Sequence, residues 1–221
     1  ADTARDRYGN TDAQKAYTKA LELQTSWPRA DVLRAHLELG IVAFLAGDLD
    51  TAEDNLCEVT SSSDATPDLT TRALIQRARV AGVTARSADE RALLQDAMHA
   101  SEQASLWLRL QAGVQYAWLL SRVANSENSS SSEGVRSLID KLLGEISDSV
   151  DDNECLIPLG NLYLVAAISN RHRGNLFGAE KSLLRGLETF RRARSTHGEA
   201  TTLNALGNAL RDLRRYGEAA A

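Results

Sequence analysis

The side chains able to do chemistry are few and far apart. Histidine occurs at His36, His99, His172 and His197. No two share the HxxxH or HExxH spacing that puts a pair of imidazoles on one helix face for zinc, so these positions read as helix-packing or solvent-edge histidines. Cys57 and Cys155 stand far apart with no CxxC pair, the pattern of two reduced thiols in an intracellular protein. No serine lies in GxSxG, and neither GxxxxGK[ST] nor GxGxxG occurs. The Ser129–Ser132 run has a linker composition, and Asp151 and Asp152 lie in a polar stretch where carboxylates stay solvated. The expectation is a protein with no catalytic residues, no metal and no cofactor.

Composition narrows the field further. The chain has 221 residues, with 43% apolar and 25% charged, ordinary for a globular protein. Its net charge of −5 argues against nucleic acid as a direct partner, because duplex binding needs clustered cations that release counterions. Arginine greatly outnumbers lysine, which occurs only at Lys15, Lys19, Lys141 and Lys181, the mark of a GC-rich and so bacterial coding sequence. No stretch approaches the roughly 20 apolar residues of a membrane span, and no signal peptide is visible. A cytoplasmic location is expected. The C-terminal third carries Arg191, Arg192, Arg194, Arg211, Arg214 and Arg215, either a solvated helix face or a patch for an acidic partner.

The elements that position these residues are helices. Ala, Leu, Arg and Glu dominate, and only three prolines and fourteen glycines interrupt them. A repeat is visible in three segments: Leu33–Val59, Gly160–Gly186, and one that opens at Ala200. Each has a small residue in its first helix (Gly40, Ala167, Gly207), then a turn (Gly47, Gly174, Arg214), then an alanine (Ala52, Ala179, Ala219). Leu56 and Leu183 follow in the first two, and Ala13, Tyr17 and Ala20 continue the 4-and-3 spacing near the start. The small residues let two helices approach closely. Gly-Asp and Gly-Asn end one helix and cap the next.

The spacing implies a period of about 42 residues, with further turns near Asp89 and Ser130. Residues 69–104 keep a degraded motif with Gly82 as the small residue. Residues 105–124 form a long apolar helix containing Ala112, Gly113 and Tyr116, paired with Val135–Ile146 across a mobile polar loop at 125–133. Asp148–Glu154 is the next connector, and Pro158 fits the first turn of the following helix.

These residues resemble the tetratricopeptide repeat family, in its long-period branch of about 40–42 residues, similar to the arrays of kinesin light chains and of bacterial maltose-regulator-type activators. The resemblance implies an all-α, right-handed superhelical solenoid of antiparallel helix pairs. It spans residues 1–221 as a single array of about five to six units, incomplete at both ends. The first helix of one unit and most of the second helix of the last are missing, so the chain is expected to be a fragment of a larger protein or to close its ends by self-association.

The resemblance also implies a partner-binding groove lined by the first helices. Carried over position by position, it contains Arg34, Leu37, Ile41, Phe44 and Leu45; Trp107, Leu110, Val114, Ala117 and Trp118; Asn161, Leu164, Ile168, Arg171 and His172; and Thr201, Asn204, Asn208 and Asp212. Asn208 matches one position of the family's carboxylate clamp. Leu37, Leu164 and Asn204 stand where its other polar partners would be, so that clamp is not expected. A groove apolar in the middle suits a protein or peptide presenting an amphipathic helix, although Trp107, Trp118 and Phe44 at helical spacing fit a core equally well. The expected function is a non-catalytic binding scaffold or regulatory domain. The alternative is a ligand-sensing, self-associating domain of a bacterial signalling ATPase or transcription regulator.

Overall fold

The computed structural model describes residues 2–126, 131–146 and 153–219. Every regular element among them is helical: α1 Asp2–Leu23, α2 Arg29–Ala46, α3 Leu49–Ser61, α4 Pro67–Val83, α5 Ser87–Ser101, α6 Leu106–Ser126, α7 Ser131–Glu145, α8 Asn153–His172, α9 Leu176–Arg192, α10 Thr196–Asp212 and α11 Tyr216–Ala219. The chain is an all-α helical-repeat solenoid. After α1 the helices fall into pairs, α2/α3, α4/α5, α6/α7, α8/α9 and α10/α11. They divide into two compact units, Ala1–Leu108 and Arg109–Ala221.

One turn recurs between helices and sets the repeat. Gly47, Ala85, Gly174, Arg194 and Arg214 all have left-handed backbone, with φ from 53 to 86°. The amide of the following residue donates five positions back in each case: Asp48 to Ala43, Arg86 to Ala81, Asn175 to Asn170, Ser195 to Phe190 and Arg215 to Leu210, all at 2.9–3.0 Å. That is the Schellman closure of a helix C-terminus. The same residue then starts the next helix. Asp48, Asn175 and Ser195 each accept a hydrogen bond from the backbone N–H three residues on. Arg86 makes no such side-chain cap. Glycine supplies positive φ without steric cost at Gly47 and Gly174, whereas alanine or arginine pays about 1–2 kcal/mol in that conformation.

This geometry corrects two expectations about residues 69–104. The turn falls at Ala85, not near Asp89. Counting back seven residues, as from Gly47 to Gly40, the small residue is Ala78, which is buried. Gly82 is exposed, and the atoms nearest to a Cβ there belong to the Glu90 side chain. The turn expected near Ser130 lies outside the described residues. So does 127–130 of the loop expected at 125–133, into which α6 and α7 extend from either side. Of the connector at 148–154, residues 148–152 lie outside as well. Pro158 sits a turn deeper than expected, because α8 already begins at Asn153; its ring nitrogen cannot donate to Glu154 O.

In the first unit, Leu33, Leu37, Leu56, Val59, Leu69 and Val80 form the core between α2, α3 and α4. The contact of α2 with α3 is set by Gly40. A Cβ there would stand 2.6 Å from Leu56 Cγ and 3.2 Å from Ala52 O. Arg77 of α4 reaches back to α3, donating to Glu53 at 2.8 and 3.0 Å and to Thr60 at 2.9 Å. Gln14 of α1 donates to Asp48 at 2.7 Å, tying α1 to the α2–α3 turn.

The second unit has two clusters. Val114, Ala117, Val135, Ile139, Leu142, Leu162 and Val165 pack α6, α7 and α8 together. Leu164, Ala167, Ala179, Leu183, Phe190 and Ala209 pack α8, α9 and α10. Phe190 is almost fully buried, and its ring lies over two glycines, Gly160 and Gly198, where any Cβ would overlap it. Half-buried Trp118 packs against both clusters.

Candidate functional site

A helix in an array has one stripe facing its partner and one facing solvent, and only the second can meet a ligand. The expected groove residues divide between these stripes. Leu37, Leu110 and Leu164 are 0%, 0% and 6% exposed. With Val114 and Ala117 they belong to the cores, so these positions offer no surface to a partner. Their burial stabilises the fold at about 25 cal/mol per Å² of apolar surface removed from water. Trp118 is likewise a packing residue, half-buried against the two clusters of the second unit. Trp107 is half-buried.

The surface that remains in the first unit runs along α2 and α4. Arg34 and Leu45 are exposed and Ile41 and Phe44 half-buried on α2. Neighbouring α4 adds Arg72, Gln76, Arg79 and Val83, none of which the sequence reading placed in the groove. Arg72 donates to Glu38 at 3.1 Å across the two helices. The Arg79 guanidinium lies 4.8 Å from the centre of the Phe44 ring, a cation–π contact. These two contacts hold the solvent faces of α2 and α4 side by side. Leu45 and Val83 occupy the same repeat position, two residues before the left-handed turn, and are 51% and 64% exposed. Val83 escaped notice because its turn residue is alanine. The legible signal was Leu94, buried nine residues after Ala85 just as Leu56 follows Gly47.

In the second unit the corresponding face of α8 and α10 is polar apart from Ile168. Asn161, Ile168 and Asn208 are half-buried, while Arg171, His172, Thr201, Asn204 and Asp212 are exposed. Arg171 is spent on Asp212, with Nε donating to Oδ2 at 2.6 Å between α8 and α10. Arg211 donates to Asn208. His172 and Asp212 hold the repeat position that Leu45 and Val83 hold in the first unit.

Ion pairs account for much of the arginine-rich C-terminal third. Arg191 pairs with Glu199 at 3.6 Å. Arg215 donates to both Glu180 oxygens at 2.7 and 2.8 Å and to Glu218 at 2.6 and 2.7 Å. The Arg215 hydrogen bond holds the Glu218 carboxyl below its ordinary range. Arg194 and Arg214 are the turn residues described above.

Groups suited to catalysis do not converge. Among the described residues, no three His, Cys, Asp or Glu side chains stand close enough to hold a metal ion. His36 is engaged with Asn55 at 2.8 Å, and His99, His172 and His197 are exposed. Neither cysteine forms a disulfide; Cys155 is buried and Cys57 half-buried. The carboxyls of Asp48 and Glu58 are held below the usual range, Asp48 by its hydrogen bonds with Thr51 and Gln14 and Glu58 by Arg29. Both belong to caps and ion pairs. No described helix is long and apolar enough to cross a membrane.

No protein-family profile matches the sequence, and no curated protein matches it. A solved structure does: BtubC (BKLC) from P. vanneervenii, at a TM-score of 0.70 and 12% identity over 99% of this chain and 87% of that one. At that identity the likeness concerns the fold, and the fold shared is a tetratricopeptide-like helical repeat.

Proposed function

We propose that the chain is a non-catalytic protein- or peptide-binding scaffold of the long-period tetratricopeptide type, and that its first unit carries the binding face. The observation that carries this reading is the pair of exposed apolar side chains, Leu45 and Val83, at equivalent positions of two neighbouring first helices. Exposed Leu or Val side chains are unremarkable singly. Recurrence in the repeat frame, flanked by half-buried Ile41 and Phe44 and rimmed by Arg34, Arg72 and Arg79, supports a surface for the apolar stripe of an amphipathic helix. Recurrence of helix pairs roughly every 40 residues supports the long-period assignment.

The test is a selection from a displayed library of amphipathic helical peptides against the purified chain, repeated with Leu45→Asp and Val83→Asp. Both positions are solvent-facing, so far-UV circular dichroism should stay unchanged. Affinity for selected peptides should fall at least tenfold, about 1.4 kcal/mol. A wild-type chain that enriches no peptide, or variants that bind as well as wild type, would refute the reading.

A ligand-sensing role is the second reading. One observation favours it: a cleft of about 210 Å³ in the second unit, on a different face of α8 from Asn161 and Ile168.

A further inference from the structure

The cleft lies between α7, α8 and α9, wholly within the second unit. Its apolar lining is Ile139 and Leu143 of α7 and Ala166 of α8, with Ser182 contributed by α9. One end is polar. There Ser169 and Asn170 of α8 meet Asn175, the residue that caps α9. Arg136 and Arg173 stand at the rim with a single carboxylate, Asp140.

The charges there are not equivalent. Arg136 is neutralised by Asp140, one helical turn away on α7, at 3.3 Å. Arg173 is exposed, and its guanidinium makes no hydrogen bond or ion pair among the described residues. Among the described residues, then, no carboxylate neutralises the positive charge it brings to the cleft. The amides of the first turn of α9 add the positive end of a helix dipole at the same end, around Asn175. Asn175 Nδ2 donates to Asn170 Oδ1 at 3.1 Å, which leaves the Asn170 amide N–H groups available to an incoming acceptor. Ser169 is 7% exposed, lines the cleft, and presents a hydroxyl to it.

We infer that this cleft binds a small organic monoanion, a carboxylate on a short branched aliphatic body. Arg173, Asn170 and Ser169 take the carboxylate, and the aliphatic part lies on Ile139, Leu143 and Ala166. A volume of about 210 Å³ is below that of sites for drug-sized molecules, which run from roughly 300 Å³, so the ligand is compact. A planar carboxylate matches the fork of an arginine, and Ile139, Leu143 and Ala166 give its body an apolar surface. This inference rests on the cleft alone and stands apart from the peptide-binding reading of the first unit.

The experiment uses isovalerate as the probe, titrated into the whole chain with methyl groups of Ile and Leu labelled for NMR, alongside a thermal-shift series. The neutral isostere isovaleramide and inorganic phosphate serve as controls. Isovalerate should shift the Ile139 and Leu143 methyl signals in a saturable way at millimolar concentrations and raise the melting temperature. Isovaleramide and phosphate should bind at least tenfold more weakly. Arg173→Gln removes the free charge at an exposed position, and Asn170→Asp keeps the acceptor for Asn175 while placing a negative charge beside it. Each should weaken isovalerate binding at least tenfold with helicity unchanged. Methyl signals that stay put up to tens of millimolar isovalerate would overturn the assignment. So would equal binding by Arg173→Gln, or phosphate binding as tightly as isovalerate.

Discussion

In the first unit, the seventh residue before the left-handed turn is Gly40, and Leu56 of the next helix fills the space a side chain would need. In the second unit the same repeat position holds Gly207 before Arg214, and a Cβ there would touch nothing closer than Ala219 O at 3.7 Å. The close glycine contacts between helices of α8–α10 lie elsewhere, at Gly160 and Gly198 against the Phe190 ring. The surfaces differ in parallel. Two residues before the turn stand Leu45 and Val83 in one unit, His172 and Asp212 in the other. The repeat thus sets the backbone path of both units, while the choice of close contact and of exposed side chain is made locally. A repeat position is a geometric address, and what it does depends on the helix packed against it.

The comparison breaks if the two glycines respond alike. Gly40→Ala should destabilise by about 1–3 kcal/mol, because Leu56 and the Ala52 carbonyl cannot both retreat. Gly207→Ala should be neutral or stabilising by up to about 1 kcal/mol, the gain of alanine over glycine inside a helix. Urea unfolding of the two variants decides it, and equal losses would show that motif membership outweighs packing.

Caps sharpen it next. Asp48 in the first unit and Asn175 in the second do the same work, and replacing either with alanine should cost about 1 kcal/mol at neutral pH. Only Asp48 titrates. Its carboxyl pKa is lowered in the folded state by its Thr51 and Gln14 hydrogen bonds. Its contribution is therefore complete above the unfolded value of about 4 and is lost as pH falls through the folded value. The cost of Asp48→Ala should shrink between pH 7 and pH 3, and that of Asn175→Ala should not. Denaturant midpoints at the two pH values test this directly.

The smallest effect is at the turns. Gly47 and Gly174 already suit positive φ, but Ala85 and Arg214 do not. Ala85→Gly and Arg214→Gly should each raise stability by a few tenths up to about 1 kcal/mol, the relief of left-handed strain less the extra chain entropy of glycine. A thermal melt that moves down instead would mean that Ala85 or Arg214 contributes packing in excess of its strain.

Much of the array was open to sequence reasoning because its determinants are local. Helix periodicity, the Gly-Asp and Gly-Asn turn-and-cap pairs, and small residues at a fixed distance before the turn are set within a few residues of one another. They led to an all-α repeat and to the pairing of Gly40 with the α3 helix. Where the local signal was weak, the phase slipped: with alanine at position 85 the turn was expected near Asp89, and Val83 was left out of the expected groove. Which of two adjacent stripes on a helix faces inward was also invisible. Leu37, Leu110 and Leu164 lie within a residue or two of exposed or half-buried neighbours, and a shift of one residue turns a side chain by about 100°. The cleft was beyond reach for a related reason, since Ile139, Ser169, Arg173 and Asn175 come from two helices and a turn. The sequence by itself determined the helices, their turns and their repeat, because those are decided by short-range propensity and capping. Only the tertiary structure decided which leucines are core, which are surface, and which polar groups share a cavity, because burial depends on the neighbouring helices that close over each residue.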